Sequence, residues 1–122
     1  MIDVKRFMKS FKYAFNGIHY AFRNDQNLII HLIIATLVIA ASMLFRVTPL
    51  ETGILGLTML IVITTEMVNT ALEKMVDLIT KEHRMEAKIA KDVASGMVLV
   101  AAVGSVIIGL LIFVPHILNF IK

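Results

Sequence analysis

The chain has 122 residues, 58% of them hydrophobic, a formal net charge of +3 and no cysteine. A domain of this length has too little interior to hide so much apolar surface, so the composition places the chain in a lipid bilayer. The lack of cysteine excludes disulfides and thiolate metal sites. Basic residues clustered beside apolar runs, rather than spread along one stripe, argue against nucleic acid as a partner.

Residues 4–24 carry Phe7, Phe11, Phe15, Ile18 and Phe22 at helical spacing, with Lys5, Arg6, Lys9 and Lys12 around them. This pattern predicts an amphipathic helix lying in the membrane surface. The mixed charge at the start, with no short apolar run and small-residue cleavage site, predicts that no signal peptide is removed. Residues 28–45 and 93–114 are apolar runs, each close to the ~20 residues that cross a hydrocarbon core.

Residues 49–79 keep helical periodicity over roughly 45 Å, longer than the ~30 Å core, so the last turns of this helix leave the membrane. Its start is well marked. Thr48 suits an N-cap, Pro49 the first helical position, and Glu51 stands three residues after the cap. The expected fold is an all-α membrane protein: three transmembrane helices preceded by an N-terminal amphipathic surface helix, in a single domain over 1–122.

Lys5, Arg6, Lys9, Lys12 and Arg23 lie before the first span, and Lys81, Arg84, Lys88 and Lys91 between the second and third. The first loop holds only Arg46 and the C-terminus only Lys122. The excess of positive charge predicts that the N-terminus and second loop face the cytoplasm of a bacterial-type inner membrane and that the C-terminus lies outside.

The candidate site follows from position. At about 100° per residue, Glu66, Asn69, Glu73 and Asp77 fall within an arc of about 80° on one helix face. If the hydrocarbon core begins near Thr52, Glu66 lies about 20 Å along, inside the cytoplasmic leaflet, and Glu73 and Asp77 about 32 and 38 Å along, at or beyond its edge. A carboxylate in hydrocarbon costs several kcal/mol unless paired or protonated, which marks Glu66 as functional. Asp25, Lys91 and Asp92 reach the same boundary, and carboxylates with lysine suit magnesium and phosphate. No glycine-rich phosphate loop is present: Gly53 and Gly56 lie on the far side, and no Gly-Lys-Ser/Thr follows. The rival reading is a small transporter or channel subunit without phosphotransfer. That would need a polar stripe through both leaflets, where residues 52–63 offer mainly Thr58.

The segment Glu66-Met-Val-Asn-Thr-Ala-Leu-Glu-Lys-Met-Val-Asp77, followed by Ala90-Lys-Asp-Val-Ala-Ser-Gly96, resembles the signature of the small prokaryotic diacylglycerol kinase family, which includes the undecaprenol kinases. The likeness extends to Ala14 and Gly17, to Arg23-Asn-Asp25, and to the ending Gly109-Leu-Leu-Ile-Phe-Val-Pro115, which is similar to the undecaprenol kinase branch. The resemblance implies a homotrimer that uses MgATP to phosphorylate a membrane lipid alcohol, undecaprenol or diacylglycerol. It gives Glu66 the part of general base, Asn69 that of orienting groups in the site, and Asp25 and Glu73 that of magnesium ligands; Asp25 stands where the family usually has glutamate. It implies that Arg6, Tyr13, Glu82, His83, Lys91 and Asp92 join Asp25 and Glu73 in holding the nucleotide. Arg6 and Ser95 join Glu66 near the lipid. Ile29 departs from members that carry a basic residue there.

Other features have simpler readings. Ala101, Ser105 and Gly109 form a small-residue ladder suited to a close helix contact. His31 and His116 lie at membrane boundaries without metal-ligand spacing, His19 is interfacial, and the eight methionines fill apolar surfaces.

Overall fold

The computed structural model describes all 122 residues as four helices and no strand: α1 (Val4–Asn24), α2 (Gln26–Leu44), α3 (Pro49–Ile79) and α4 (Met85–Ile121). α2, α3 and α4 are each long and apolar enough to cross a membrane. Only 12 residues are buried within the protomer. The large aliphatic side chains of the spans therefore face outward, which a bilayer tolerates and water does not.

Local chemistry sets the helix ends. Asp3 caps α1 by accepting from the Arg6 amide at 3.1 Å. Thr48 caps α3: its hydroxyl oxygen accepts from the Glu51 amide at 3.2 Å and donates to Glu51 Oε1 at 3.0 Å, a variant of the capping box. α2 ends with Arg46 in the left-handed region at φ 53° and the Val47 amide donating to the Ser42 carbonyl at 3.1 Å. This closing bond spends a carbonyl that would otherwise be orphaned in the membrane. α4 begins before and ends after the apolar run at 93–114, and it continues through Pro115.

Asp25 is the joint between α1 and α2. It ends α1, and its Oδ1 accepts from the amides of Asn27 at 3.0 Å and Leu28 at 3.3 Å to start α2. The chain turns from the surface helix into the first span at this one residue.

α3 packs most extensively on α4 and less on α2, while α1 touches mainly α2. The small-residue ladder of α4 meets α3, since Ser105 Oγ reaches the Thr58 carbonyl at 3.4 Å. At the end away from the acidic face, His116 and Glu51 approach to 2.8 Å, and Phe45 packs edge-on against Phe113 and Phe120. The exposed stripe of α1 includes an edge-to-face Phe7–Phe11 pair with centroids 5.2 Å apart, an apolar strip open to a membrane surface.

Candidate active site

Helical phase puts Glu66, Asn69 and Glu73 on one face of α3, and packing against the α1–α2 joint makes that face a site. A cavity of about 370 Å³ lies between them, lined by Asp25, Glu66, Asn69, Thr70, Glu73 and Lys74, with Asn27 and Tyr20 at its edge. Glu66 is 2% exposed and Asn69 6%, whereas Glu73 is open. The face thus grades from a buried carboxylate in the span to a solvated one at its end.

The groups are held to one another. Thr70 Oγ1 donates to Asp25 Oδ2 at 2.6 Å across 45 residues of chain. Its other neighbour, the Glu66 carbonyl at 3.1 Å, is the weaker partner for a single proton. Asn69 Nδ2 donates to Glu73 Oε1 at 3.3 Å, and Asn69 Oδ1 is buried with no partner in the protomer. A buried amide oxygen without a donor is costly, so this atom marks a place for a donor from outside the chain's own fold. His31 Nε2 stands 3.8 Å from Glu66 Oε2, beyond direct hydrogen bonding.

The donors suit a hard divalent cation. The cavity's acceptors are all oxygens, and the carboxylates among them are those of Asp25, Glu66 and Glu73. No group of three or more His, Cys, Asp or Glu side chains forms a closed metal cage. Magnesium rarely needs one, because it takes one or two carboxylates and completes its shell with phosphate oxygens and water.

A second cavity of about 760 Å³ opens beyond the span, between the end of α3 and the start of α4. It is lined by Asp77, Glu82, His83, Lys88, Lys91 and Asp92. Lys74 lines both cavities. It also lies 5.9 Å from the centroid of the Tyr20 ring, which ties α3 to α1. Lys91 Nζ donates to Asp77 Oδ1 at 2.6 Å, Lys88 pairs with Asp92, and Arg84 with Glu82. The hydrogen bond from the Lys91 ammonium holds the Asp77 carboxyl below the usual aspartate range.

The fold therefore gathers the residues singled out in sequence into two adjoining cavities. Asp25, Glu66, Asn69 and Glu73 share the smaller one; Glu82, His83, Lys91 and Asp92 share the larger. Arg6 and Tyr13 line neither: they lie on α1 about 28 and 18 Å along the helix from Asp25. Ser95 is exposed on α4 and lines neither cavity. Sequence reasoning missed Thr70, Lys74 and His31. Thr70 and Lys74 sit within the acidic segment, Thr70 four residues after Glu66 and Lys74 next to Glu73, and that spacing was the available signal; His31 gave none, because its partner lies on another helix.

The model of the prokaryotic diacylglycerol kinase family matches residues 12–113. The chain belongs to that family. A diacylglycerol kinase of Synechocystis is 41% identical over 111 residues, covering 90% of this chain, which in turn spans 63% of that relative's length. An undecaprenol kinase of Bacillus subtilis is 42% identical over 113 residues, covering 93% of this chain and 92% of the relative. Prokaryotic diacylglycerol kinase membership, three spans and a carboxylate-lined cavity at the end of one of them describe an integral membrane enzyme of the lipid kinase type. Both cavities lie within the family match; Arg6 lies before it.

Proposed function

We propose that this protein transfers the γ-phosphoryl group of MgATP to the primary hydroxyl of a membrane lipid alcohol, undecaprenol in preference to diacylglycerol. The observation that carries the reading is Glu66, a carboxylate 2% exposed within a span, facing a cavity that shares Lys74 in its lining with a larger cavity outside the span. Lipid reaches such a site sideways and nucleotide from water, and the two meet at Lys74.

In this reading Glu66 accepts the proton of the lipid hydroxyl as the oxygen–phosphorus bond forms and the bond between the β- and γ-phosphates breaks, releasing ADP. Asn69 presents its unpartnered Oδ1 to the donor that its burial calls for, a phosphate-bound water. Asp25 and Glu73 hold magnesium, which when bound neutralises charge on the phosphate oxygens. Lys74, Lys91 and the Glu82–His83 segment line the nucleotide's side, and Lys91 leaves Asp77 to meet phosphate. Arg6, Tyr13 and Ser95 act after assembly or closure brings them near the site. The family resemblance supports a homotrimer, and the basic loops support a cytoplasmic N-terminus.

The transporter alternative is weaker, because Thr58, the polar residue midway along α3, spends its hydroxyl on the Leu55 carbonyl at 2.8 Å. Thr58 then has no free hydroxyl proton to offer a polar path through the second leaflet. The deciding experiment offers labelled MgATP with undecaprenol and with diacylglycerol in mixed micelles. Transfer to a lipid alcohol, abolished in Glu66→Gln, is expected; no transfer by a folded preparation overturns the reading.

A further inference from the structure

The one basic partner of the buried Glu66 carboxylate is His31 of α2, whose Nε2 stands 3.8 Å from Oε2 and whose side chain is 20% exposed. His31 heads an apolar cleft of about 240 Å³ that α2, α3 and α4 line beneath Glu66, with Leu55 and Val62 on its α3 wall. α4 brings Ala102, Ser105, Val106, Gly109 and Phe113 to this cleft, none of them ionisable. The hydroxyls that reach it are already spent: Thr58 donates to the Leu55 carbonyl at 2.8 Å and Ser105 to the Ala101 carbonyl at 2.9 Å. Asn27, four residues earlier on the same face of α2, lines the acidic cavity instead. This face of α2 therefore passes from polar to apolar beside Glu66, and His31 is the donor at the change.

Resting on the kinase reading above, we propose that His31 is a positioning residue of the transfer: with substrate bound, its Nε2–H donates to Glu66 Oε2 and aims the carboxylate at the lipid hydroxyl. The 3.8 Å separation is too long for a hydrogen bond. It is also too short for a water between the two groups, because two bonds of ~2.8 Å meeting at a tetrahedral oxygen set their ends roughly 4.5 Å apart. A direct bond needs an approach of about 0.8 Å, and the hydrogen bonds of catalytic groups are often long before substrate binds. With Oε2 held by His31, Oε1 is left to the lipid. As the lipid oxygen bonds to the γ-phosphorus, the bridging P–O bond breaks and its electron pair leaves on ADP; the hydroxyl proton passes to Oε1, and His31 keeps its own. The ring offers an N–H at Nε2 both as the protonated ring and as the neutral tautomer with hydrogen there, so the role needs no change of charge. What His31 contributes is aim, and a misplacement of about 1 Å can cost on the order of 10²-fold in rate.

The test uses the full chain in mixed micelles with MgATP and undecaprenol. His31→Leu removes the donor and keeps an apolar side chain at the cleft; His31→Gln returns an N–H at similar reach. His116→Leu, which breaks the histidine–glutamate pair at the other end of the bundle, is the matched control. Each substitution at His31 is also made in Glu66→Gln, and thermal melts accompany every variant.

His31→Leu is expected to lower the single-turnover rate by about 10- to 100-fold with the KM values for MgATP and lipid unchanged. His31→Gln recovers most of that loss, and His116→Leu turns over as wild type. In the Glu66→Gln background His31→Leu costs nothing further, because a residue that acts through Glu66 has nothing left to aim. A wild-type rate in His31→Leu, equal losses in His31→Leu and His31→Gln, an equal loss in His116→Leu, or a full further loss in the Glu66→Gln background overturns the proposal. Absence of transfer by the wild type sinks the kinase reading itself. The contact is then decided by nitrogen-15 NMR of the full chain labelled at its four histidines. A His31 ring-nitrogen signal that moves in Glu66→Gln while that of His116 does not upholds the bond, and an unmoved His31 signal removes it.

Discussion

Thr70 Oγ1 donates to Asp25 Oδ2 at 2.6 Å, joining the middle of α3 to the residue at which α1 ends and α2 begins. Asp25 is thereby held from two sides, its Oδ1 by the first amides of α2 and its Oδ2 by this hydroxyl. The carboxylate serves as helix cap and as site wall at once, and its direction is set before any ligand arrives. Where a carboxylate holds a metal, the role proposed for Asp25, the hydrogen bonds that orient it matter nearly as much as the ligand itself.

Thr70→Val keeps the shape of the side chain and deletes the hydroxyl. The expected outcome is an apparent magnesium affinity lowered by roughly 10- to 100-fold, with Thr70→Ser close to wild type. Titration of activity against magnesium at saturating ATP and lipid checks this. Equal magnesium dependence in Thr70→Val and wild type would show that Asp25 does not depend on the bond.

Glu66→Gln preserves volume and hydrogen-bonding shape but cannot take a proton at neutral pH. A loss of about 10²- to 10⁴-fold in kcat is expected. Folding should survive, since the change removes a charge buried in the span. Single-turnover transfer, with circular dichroism and thermal melts alongside, separates chemistry from unfolding. A Glu66→Gln protein with wild-type single-turnover rate would remove Glu66 from the proton-accepting role.

The Lys91–Asp77 pair gives a pH dependence whose sign is fixed. Its hydrogen bond lowers the folded-state pKa of Asp77. The pair's contribution to stability is then present above the ordinary aspartate pKa of about 3.9 and is lost as pH falls through the lowered value. Both groups are largely exposed, so the effect is small and screened by salt. Thermal melts from pH 6 downward at low salt should fall less steeply in Lys91→Met than in wild type in this acidic window. Parallel curves would show that the pair makes no contribution in solution.

Membrane orientation can be read without background, because the chain has no cysteine of its own. Single cysteines at Lys81, in the second loop, and at Val47, in the first, should react oppositely with an impermeant maleimide in sealed right-side-out vesicles: Val47→Cys labelled, Lys81→Cys protected until lysis. The reverse pattern would invert the topology and set the larger cavity outside the cell.

The regular elements were legible because their causes are local. The Thr48–Pro49–Glu51 start of α3 depends on neighbours three residues apart, and the shared face of Glu66, Asn69 and Glu73 follows from the helical repeat alone. Apolar length likewise marked all three spans.

What only the tertiary structure decided are the relations between helices. Thr70 meets Asp25 across 45 residues, His31 faces Glu66 from α2, and Lys91 reaches Asp77 from α4. The small-residue ladder of α4 turns out to face α3. Each of these depends on the angle to which one helix is rotated against another. Side chains from both helices set that angle through packing, so no window of sequence from either one contains it. The cleft beneath Glu66 exists for the same reason: it is space that three helices leave between them, bounded by residues that share no local pattern.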